Sequence, residues 1–398
     1  MSEETPPLSD AELLKAKVAV LATQGLRQKQ IIERLGYKQP TISKKFNEAV
    51  EEGLIEIRPP VWRGSQRVYR EVDRLLHPLD DLHEALCGLS REAERLQEVK
   101  ILENPLDALR RGEGKGRNEF AQRVADYLLE DRLPRKGVVG VAWGGTLLDV
   151  ARAVESRLAR PPEGWQGLSF VPICGDPPEV DRWPHRSAAS IAASLETALT
   201  GRTGFEHSFS SVAACIPEGF GGERAETIRA YFRSFPGYRA VFGAGRSDRG
   251  GLITKLDGML TSIATNEATS EAELTWLDAA STAASVEAED LVRASVGNIG
   301  GLFVEHREAS PADRRLVDRV NDRWTAFRFD HMERCARAAA NDSERLGVVV
   351  IAGRHASQAP TALECVRRGY VNRLLLDPRV AGALERLLGA AGGLIRRR

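Results

Sequence analysis

The stretch RQKQIIERLGYKQPTISKKFNEAVEEGLIEI, Arg27 to Ile57, decides how the rest of the chain is understood. It predicts a helix, a tight turn at Gly36, a second helix and a short strand. Over Arg27 to Leu35, the residues Ile31, Ile32 and Leu35 recur at helical spacing. Gly36 then ends the helix, because glycine tolerates the left-handed conformation that a C-cap needs. In the second helix Ile42, Phe46, Ala49 and Val50 follow at i, i+4, i+7 and i+8, which buries one face. The other face offers Gln39, Thr41, Ser43, Lys44 and Lys45, short polar or basic groups near the helix N-terminus. A recognition helix needs this arrangement, since its first turns enter the major groove while the apolar stripe stays in the core. Gly53 closes the helix, and Leu54 to Ile57 alternates like a strand, so the unit reads as winged.

The same pattern also fits an ordinary helical hairpin with a solvated polar face, and helix-turn-helix units occur in enzymes too. Charge favours nucleic acid. From Arg27 to Lys45, the residues Arg27, Lys29, Arg34, Lys38, Lys44 and Lys45 stand against Glu33 alone, inside a chain of net charge +0. A local cationic excess of this kind suits phosphate contacts.

These residues resemble the N-terminal DNA-binding module of SorC-type bacterial transcriptional regulators, also called sugar-binding DeoR-like regulators. In that family a glutamine opens the first helix, a small polar run precedes Thr-Val-Ser-Arg, and the unit ends like Glu-Gly-Ile-Val. Gln28, Thr41, Ile42, Ser43, Lys44, Gly53, Leu54 and Ile55 stand at those places. The candidate contacts to double-stranded operator DNA are therefore Arg27, Gln28, Lys38, Gln39, Pro40, Thr41, Ser43, Lys44 and Lys45.

At 398 residues, with 42% hydrophobic and 28% charged content, the chain has the make-up of a soluble protein with more than one domain. No apolar run approaches the roughly 20 residues that span a bilayer. The start, MSEETPPLSD, is acidic and polar where a signal peptide needs a basic start and an apolar stretch. The expectation is a cytoplasmic protein with no membrane partner. Cys87, Cys174, Cys215, Cys335 and Cys365 are scattered, odd in number and form no C-x-x-C pair, which reads as free thiols. His331 and Cys335 can share a helix face, but further ligands are lacking nearby, so neither a metal nor a cofactor is expected.

In chain order, Ser9 or Asp10 caps a first helix from Ala11 to about Gln24, and Pro59-Pro60 marks a boundary. The expected domains are a winged helix-turn-helix over 1–60, a helical connector over 61–116, and a Rossmann-like domain over 117–398. In the connector Leu75, Leu79, Leu82, Leu86 and Leu89 recur at spacings of three and four. They pack either a dimer partner or their own chain, and Pro78 kinks or starts a helix. Arg111 to Asn118 reads as a flexible Gly-rich basic connection.

From Asn118 the pattern alternates between helix and strand, the mark of an α/β sheet. Expected strands are Val138 to Ala142, Leu168 to Ile173, Ala240 to Phe242, Gly347 to Ala352 and Val371 to Leu376. Expected helices are Phe120 to Glu130, Leu147 to Leu158, Ser187 to Leu199 and Thr361 to Arg368. The loop Trp143-Gly144-Gly145-Thr146 joins a strand to a helix, where backbone N–H groups and the helix dipole favour an anion. It is neither a Walker loop nor a full G-x-G-x-x-G, and a plain βα turn also needs glycine there. Ligands bind such sheets outside the carboxyl ends of the strands. The candidate site thus draws on the loops at Gly144 to Thr146, Cys174 to Asp176, Gly245 to Asp248, Gly297-Asn298 and Gly353 to Ser357.

The resemblance extends through these segments, roughly Val138 to Leu388. VGVAWGGT is similar to the family's VGVGWGRT, FVPICGD to VPLIGG, and ASVGNIGGLFVE to VGDICGRFFD; the segment from VVIAG to Leu388 is similar to the family's VAGG-x-x-K and TDE-x-x-A segments. It implies a Rossmann-like domain similar to sugar-phosphate isomerases that takes a sugar, sugar phosphate or related small anion as effector. It also implies a homodimer or homotetramer. The effector-binding candidates are Gly144, Gly145, Thr146, Cys174, Gly175, Arg246, Asn298, Arg354, His355 and Ser357. Asn298 stands where the family has an acid, Arg246 replaces another acid, and the family's phosphate-binding lysine falls near Ser357. A pocket gaining arginine and losing carboxylate is expected to prefer a more anionic or less hydroxylated effector.

Two rival readings remain. A sugar-phosphate isomerase-like enzyme needs a base beside the anion loop, for which Asp176, Asp248 and Asp377 are available, but no catalytic set has recognisable spacing. A DNA-binding protein controlled by a protein partner is the other.

Overall fold

The computed structural model describes residues 9–24, 26–55, 78–89, 95–102, 117–130, 132–158, 160–176, 186–202, 212–216, 219–220, 223–244, 250–267, 271–353 and 355–395. The chain divides into two compact units, Met1–Asp81 and Leu82–Arg398.

The first unit is built on α1 (Asp10–Thr23), α2 (Gln28–Leu35) and α3 (Gln39–Glu51). Ser9 and Glu12 close α1 with a reciprocal capping box. Gly36 ends α2 at φ 69°, a left-handed turn that lets α3 start three residues later. Val18, Ala19, Leu21 and Ala22 of α1 form the hub against which Ile31, Ile42, Ala49 and Ile55 are buried. Phe46 and Val50 complete the apolar stripe of α3 at its margin. Leu54 and Ile55 lie in no strand and pack into this core instead, while Glu56 and Ile57 fall outside the described residues with the rest of the expected wing.

The second unit is an eight-stranded mixed sheet with helices. Its strands are β1 (Glu98–Ile101), β2 (Lys136–Val141), β3 (Gly167–Pro172), β4 (Gly258–Thr265), β5 (Ser295–Ile299), β6 (Leu302–Glu305), β7 (Gly347–Ala352) and β8 (Arg373–Leu376). The parallel order is β1-β8-β7-β4-β2-β3. β7 is buried at every residue, as its unbroken apolar run requires of a strand covered on both faces. β4 changes partner along its length. Gly258 to Ser262 pairs parallel with β7, whereas Ile263 to Thr265 pairs antiparallel with β5, which turns back into β6. β4 therefore reaches past the carboxyl edge of the parallel strands and carries a hairpin there.

Several expectations are corrected. Ala240 to Phe242 is the end of a helix, Pro236–Phe242, not a strand. Pro236 sits in its first turn, and Tyr238 and Phe242 pack at helical spacing with ring centroids 4.6 Å apart. The strand expected there is β4, later in the chain. Gly297 and Asn298 are not a loop but lie within β5, paired with Thr265 and Ala264. The stretch read as a helical connector holds β1, which joins the sheet beside β8. Pro78 starts a helix, Pro78–Cys87, whose Leu82 and Leu86 are buried in the sheet domain's own core. Leu75 and the side chain of Leu79 fall outside the described residues, as does most of Arg111 to Asn118; Arg117 and Asn118 begin the helix Arg117–Leu129. Among the described residues no helix is long and apolar enough to cross a membrane.

Candidate functional sites

In the helical unit, α2 and α3 are positioned by their apolar faces on α1, which leaves their polar faces outward. Arg27 is the N-cap residue of α2, and its backbone N–H donates to Oε1 of Gln30 at 2.9 Å. Lys38 is the N-cap residue of α3, followed by Gln39 and Pro40 in the first turn. Lys38, Gln39, Pro40 and Lys44 are exposed, as are Arg27, Lys29 and Arg34. Thr41 and Ser43 are half-buried, and the Ser43 hydroxyl donates to Oε1 of Gln28 at 3.1 Å. That bond sets the start of α2 against α3, and the sequence-predicted residues of the two helices are exposed or half-buried. Lys45 differs from its neighbour. Its Nζ lies 2.6 Å from Oε2 of Glu48, one turn on, and that hydrogen bond is the main cause holding the Glu48 carboxyl below its usual range. Tyr37, 43% exposed in the turn before α3, is a further candidate that the apolar pattern did not flag.

In the sheet domain, β2 and β4 are neighbours from which the chain proceeds to opposite sides, β3 on one and β7 and β8 on the other. This is the switch point at which doubly wound sheets take ligands. Gly144 follows β2 at φ 128° and is the N-cap residue of the helix Gly145–Arg157. Its own N–H donates to the carbonyl of Arg186 at 3.2 Å, so the groups left for a ligand are those of Gly145, Thr146 and Leu147. A Cβ on Gly144 would stand 3.5 Å from the Ser262 hydroxyl, which places Ser262 of β4 beside this turn. Ser262 was missed in the sequence because β4 was. The indole of Trp143 donates to the carbonyl of Gly300 at 3.2 Å, and the N–H of Gly300 donates to the carbonyl of Ser262 at 3.0 Å. Loop, hairpin turn and β4 are therefore one connected edge. Behind them Trp143, Trp276 and Trp324 pack edge to face, with centroids 5.4 and 5.2 Å apart in turn.

The remaining predicted residues divide. Asn298 is buried and its Oδ1 accepts from the N–H of Gly301 at 3.2 Å, which fixes the hairpin turn. His355 and Ser357 are half-buried around the 3-10 turn Ala356–Gln358 after β7, and the buried Gln358 beside them donates to the carbonyl of Ile263. Cys174 is buried, and burial pushes its thiol well above the usual range. Gly175 is needed for packing, since a Cβ there would lie 2.5 Å from the carbonyl oxygen of Val212. Asp176 pairs through its backbone with Val212 and Ala214 at 2.7 and 2.9 Å. Arg246, Arg354 and Asp248 lie outside the described residues. Asp377 follows β8, and its Oδ1 accepts from the N–H of Val380 at 2.8 Å, as a helix cap does. Burial, the largest influence on it, raises its carboxyl above the usual value. His331 accepts through Nδ1 from the N–H of Arg328 at 2.9 Å, and among the described residues no group of three His, Cys, Asp or Glu side chains is placed to hold a metal.

No family model and no curated protein matches the chain. Solved structures match. A probable sor operon regulator from Shigella flexneri is 16% identical at a TM-score of 0.52, covering 77% of this chain and 98% of that one. A transcriptional regulator from Streptococcus pneumoniae is 13% identical at a TM-score of 0.51, covering 78% of this chain and 97% of that one. The chain has the α/β fold of these two regulators.

Proposed function

We propose that the protein is an effector-controlled DNA-binding transcriptional regulator, working in the cytoplasm as a homodimer or homotetramer, and not an enzyme. The observation that carries this is the surface of α2 and α3, where Arg27, Lys29, Lys38, Gln39, Pro40 and Lys44 are exposed while the opposite faces are held on α1. Cations there meet phosphates, and Gln39, Thr41 and Ser43 reach base edges. The fold shared with regulators supports the same reading. In the sheet domain the effector is a sugar, sugar phosphate or related small anion, received at the edge formed by Gly145, Thr146, Ser262, His355 and Ser357. Oxygen-rich anions suit the N-terminus of Gly145–Arg157, and hydroxyl donors suit a sugar. Arg246 and Arg354 are the cations assigned to its charge. Asp377 favours regulator over enzyme, because the strand-end carboxylate that a base mechanism would recruit is engaged as a cap.

The test is retention of genomic duplex fragments by the purified full chain, with its melting temperature followed against sugars, sugar phosphates and small organic acids. A ligand at about 100 times its dissociation constant should stabilise the fold by about 2.7 kcal/mol. Enrichment of discrete fragments and a shift with one ligand class support the proposal. Retention indifferent to sequence at every salt concentration would sink its first half, and no shift with any of the three classes its second.

A further inference from the structure

A side-chain hydrogen bond that joins α2 to α3 carries a chemical consequence. Gln28 is the first residue of α2, and Ser43 is on α3 one position past the buried Ile42. The Ser43 hydroxyl donates to Oε1 of Gln28 at 3.1 Å. A serine hydroxyl has one hydrogen and two lone pairs, and its hydrogen normally rotates to suit whatever it meets. Here that hydrogen is committed to Gln28. What Ser43 offers outward is acceptor only, while the Gln28 amide keeps its Nε2 donors.

We infer that Gln28 is a positioning residue that sets the polarity of Ser43, so that Ser43 accepts from an exocyclic amine, adenine N6 or cytosine N4, and disfavours guanine and thymine. This rests on the reading of α3 as a recognition helix. In the major groove adenine and cytosine present amino donors, while guanine O6 and thymine O4 are acceptors. An unrestrained serine serves either class, so without its partner Ser43 loses discrimination rather than contact. The Nε2 group of Gln28 is left to donate to a phosphate oxygen, as a residue that fixes register does.

The test is selection of bound duplexes from a randomised pool by the full chain, for the unaltered protein and for Gln28→Ala, Gln28→Glu and Ser43→Ala. Glutamate keeps the acceptor for Ser43 but removes the Nε2 donors. One position of the selected motif should favour adenine or cytosine by about 2- to 12-fold, the range of one neutral hydrogen bond. Ser43→Ala and Gln28→Ala should both flatten that same position, whereas Gln28→Glu should keep its preference and weaken binding at every sequence. Thermal unfolding of each variant shows that the helical unit is intact, since neither side chain belongs to its apolar core. A Gln28→Ala motif identical to that of the unaltered protein overturns the inference while leaving DNA reading in place. A pool that the unaltered protein does not enrich overturns the DNA reading itself, and the inference with it.

Discussion

Replacing Lys44 with alanine should flatten the salt dependence of duplex binding, whereas replacing Lys45 should hardly change it. The two residues are adjacent and carry the same charge, so composition treats them alike. Their surroundings differ. Lys44 is exposed on α3, while Lys45 is only 18% exposed at its side chain and pairs with Glu48 at 2.6 Å. A cation that meets a phosphate releases condensed counterions, which contributes about 0.9 to the slope of log K against log salt. Between about 50 and 200 mM salt that contact loses about 0.5 in log K, a factor of about 3.5. The Lys44→Ala deficit should therefore shrink by about 3.5-fold across this range for each module bound, and by about 12-fold for a pair. Lys45 is already neutralised within its own helix, so Lys45→Ala should run parallel to the unaltered protein. Fluorescence anisotropy of a labelled duplex, titrated at a series of salt concentrations, reads both slopes. Equal slope changes in the two variants, or a change confined to Lys45→Ala, would refute the placement of α3 on the phosphate backbone.

Three further outcomes test the sheet domain. Asn372 is fully buried and bonds the N–H of Val348 and the carbonyls of Arg95 and Ala336 at 2.8, 2.9 and 3.0 Å; with each orphaned group costing about 1–3 kcal/mol, Asn372→Ala should lose at least about 3 kcal/mol in urea unfolding. Gly353→Ala would put a Cβ 2.0 Å from Cε1 of Phe120, so it should lower stability by about 1–3 kcal/mol, and Phe120→Leu should restore part of that if the clash is the cause. Burial holds the Asp377 carboxyl above its ordinary value, so the fold binds its proton more tightly than the unfolded chain does. Stability from this group is therefore fullest below the unfolded pKa and falls as pH rises through the folded one. Asp377→Asn keeps the cap, removes the titration, and should flatten melting temperature against pH on the acid side; an unchanged profile would count against the assignment.

Elements whose apolar residues follow one clear period were readable in advance. The stripe Ile42, Phe46, Ala49 and Val50 gave α3, and the unbroken GVVVIA gave β7. β4 was not readable, because GMLTSIAT mixes glycine, serine and threonine into a strand that serves two partners along its length. The run Ala240 to Phe242 looked like the missing strand, although Pro236 and the aromatic spacing of Tyr238 and Phe242 are helical signals. The hairpin was hidden by its glycines. Gly297 holds φ 144° inside β5, where a Cβ would meet the carbonyl oxygen of Ala264 at 2.3 Å, so a residue that suggests a loop is required by close strand pairing. At the candidate site, the glycine loop before the helix Gly145–Arg157 was readable, but Ser262 depended on finding β4 and the engagement of Gly144 with Arg186 depended on tertiary structure.

An effector that controls the proposed regulator from the sheet edge must alter the hold of α2 and α3 on DNA. Linkage demands that such a ligand bind the DNA-competent and incompetent arrangements with different affinity. The most direct measurement is the dissociation constant of the full chain for an enriched duplex, with and without the ligand that raises its melting temperature. The expected change is about 5- to 150-fold, in either direction, the usual range of coupling between sites. A ligand that stabilises the protein yet leaves duplex affinity unchanged would contradict it.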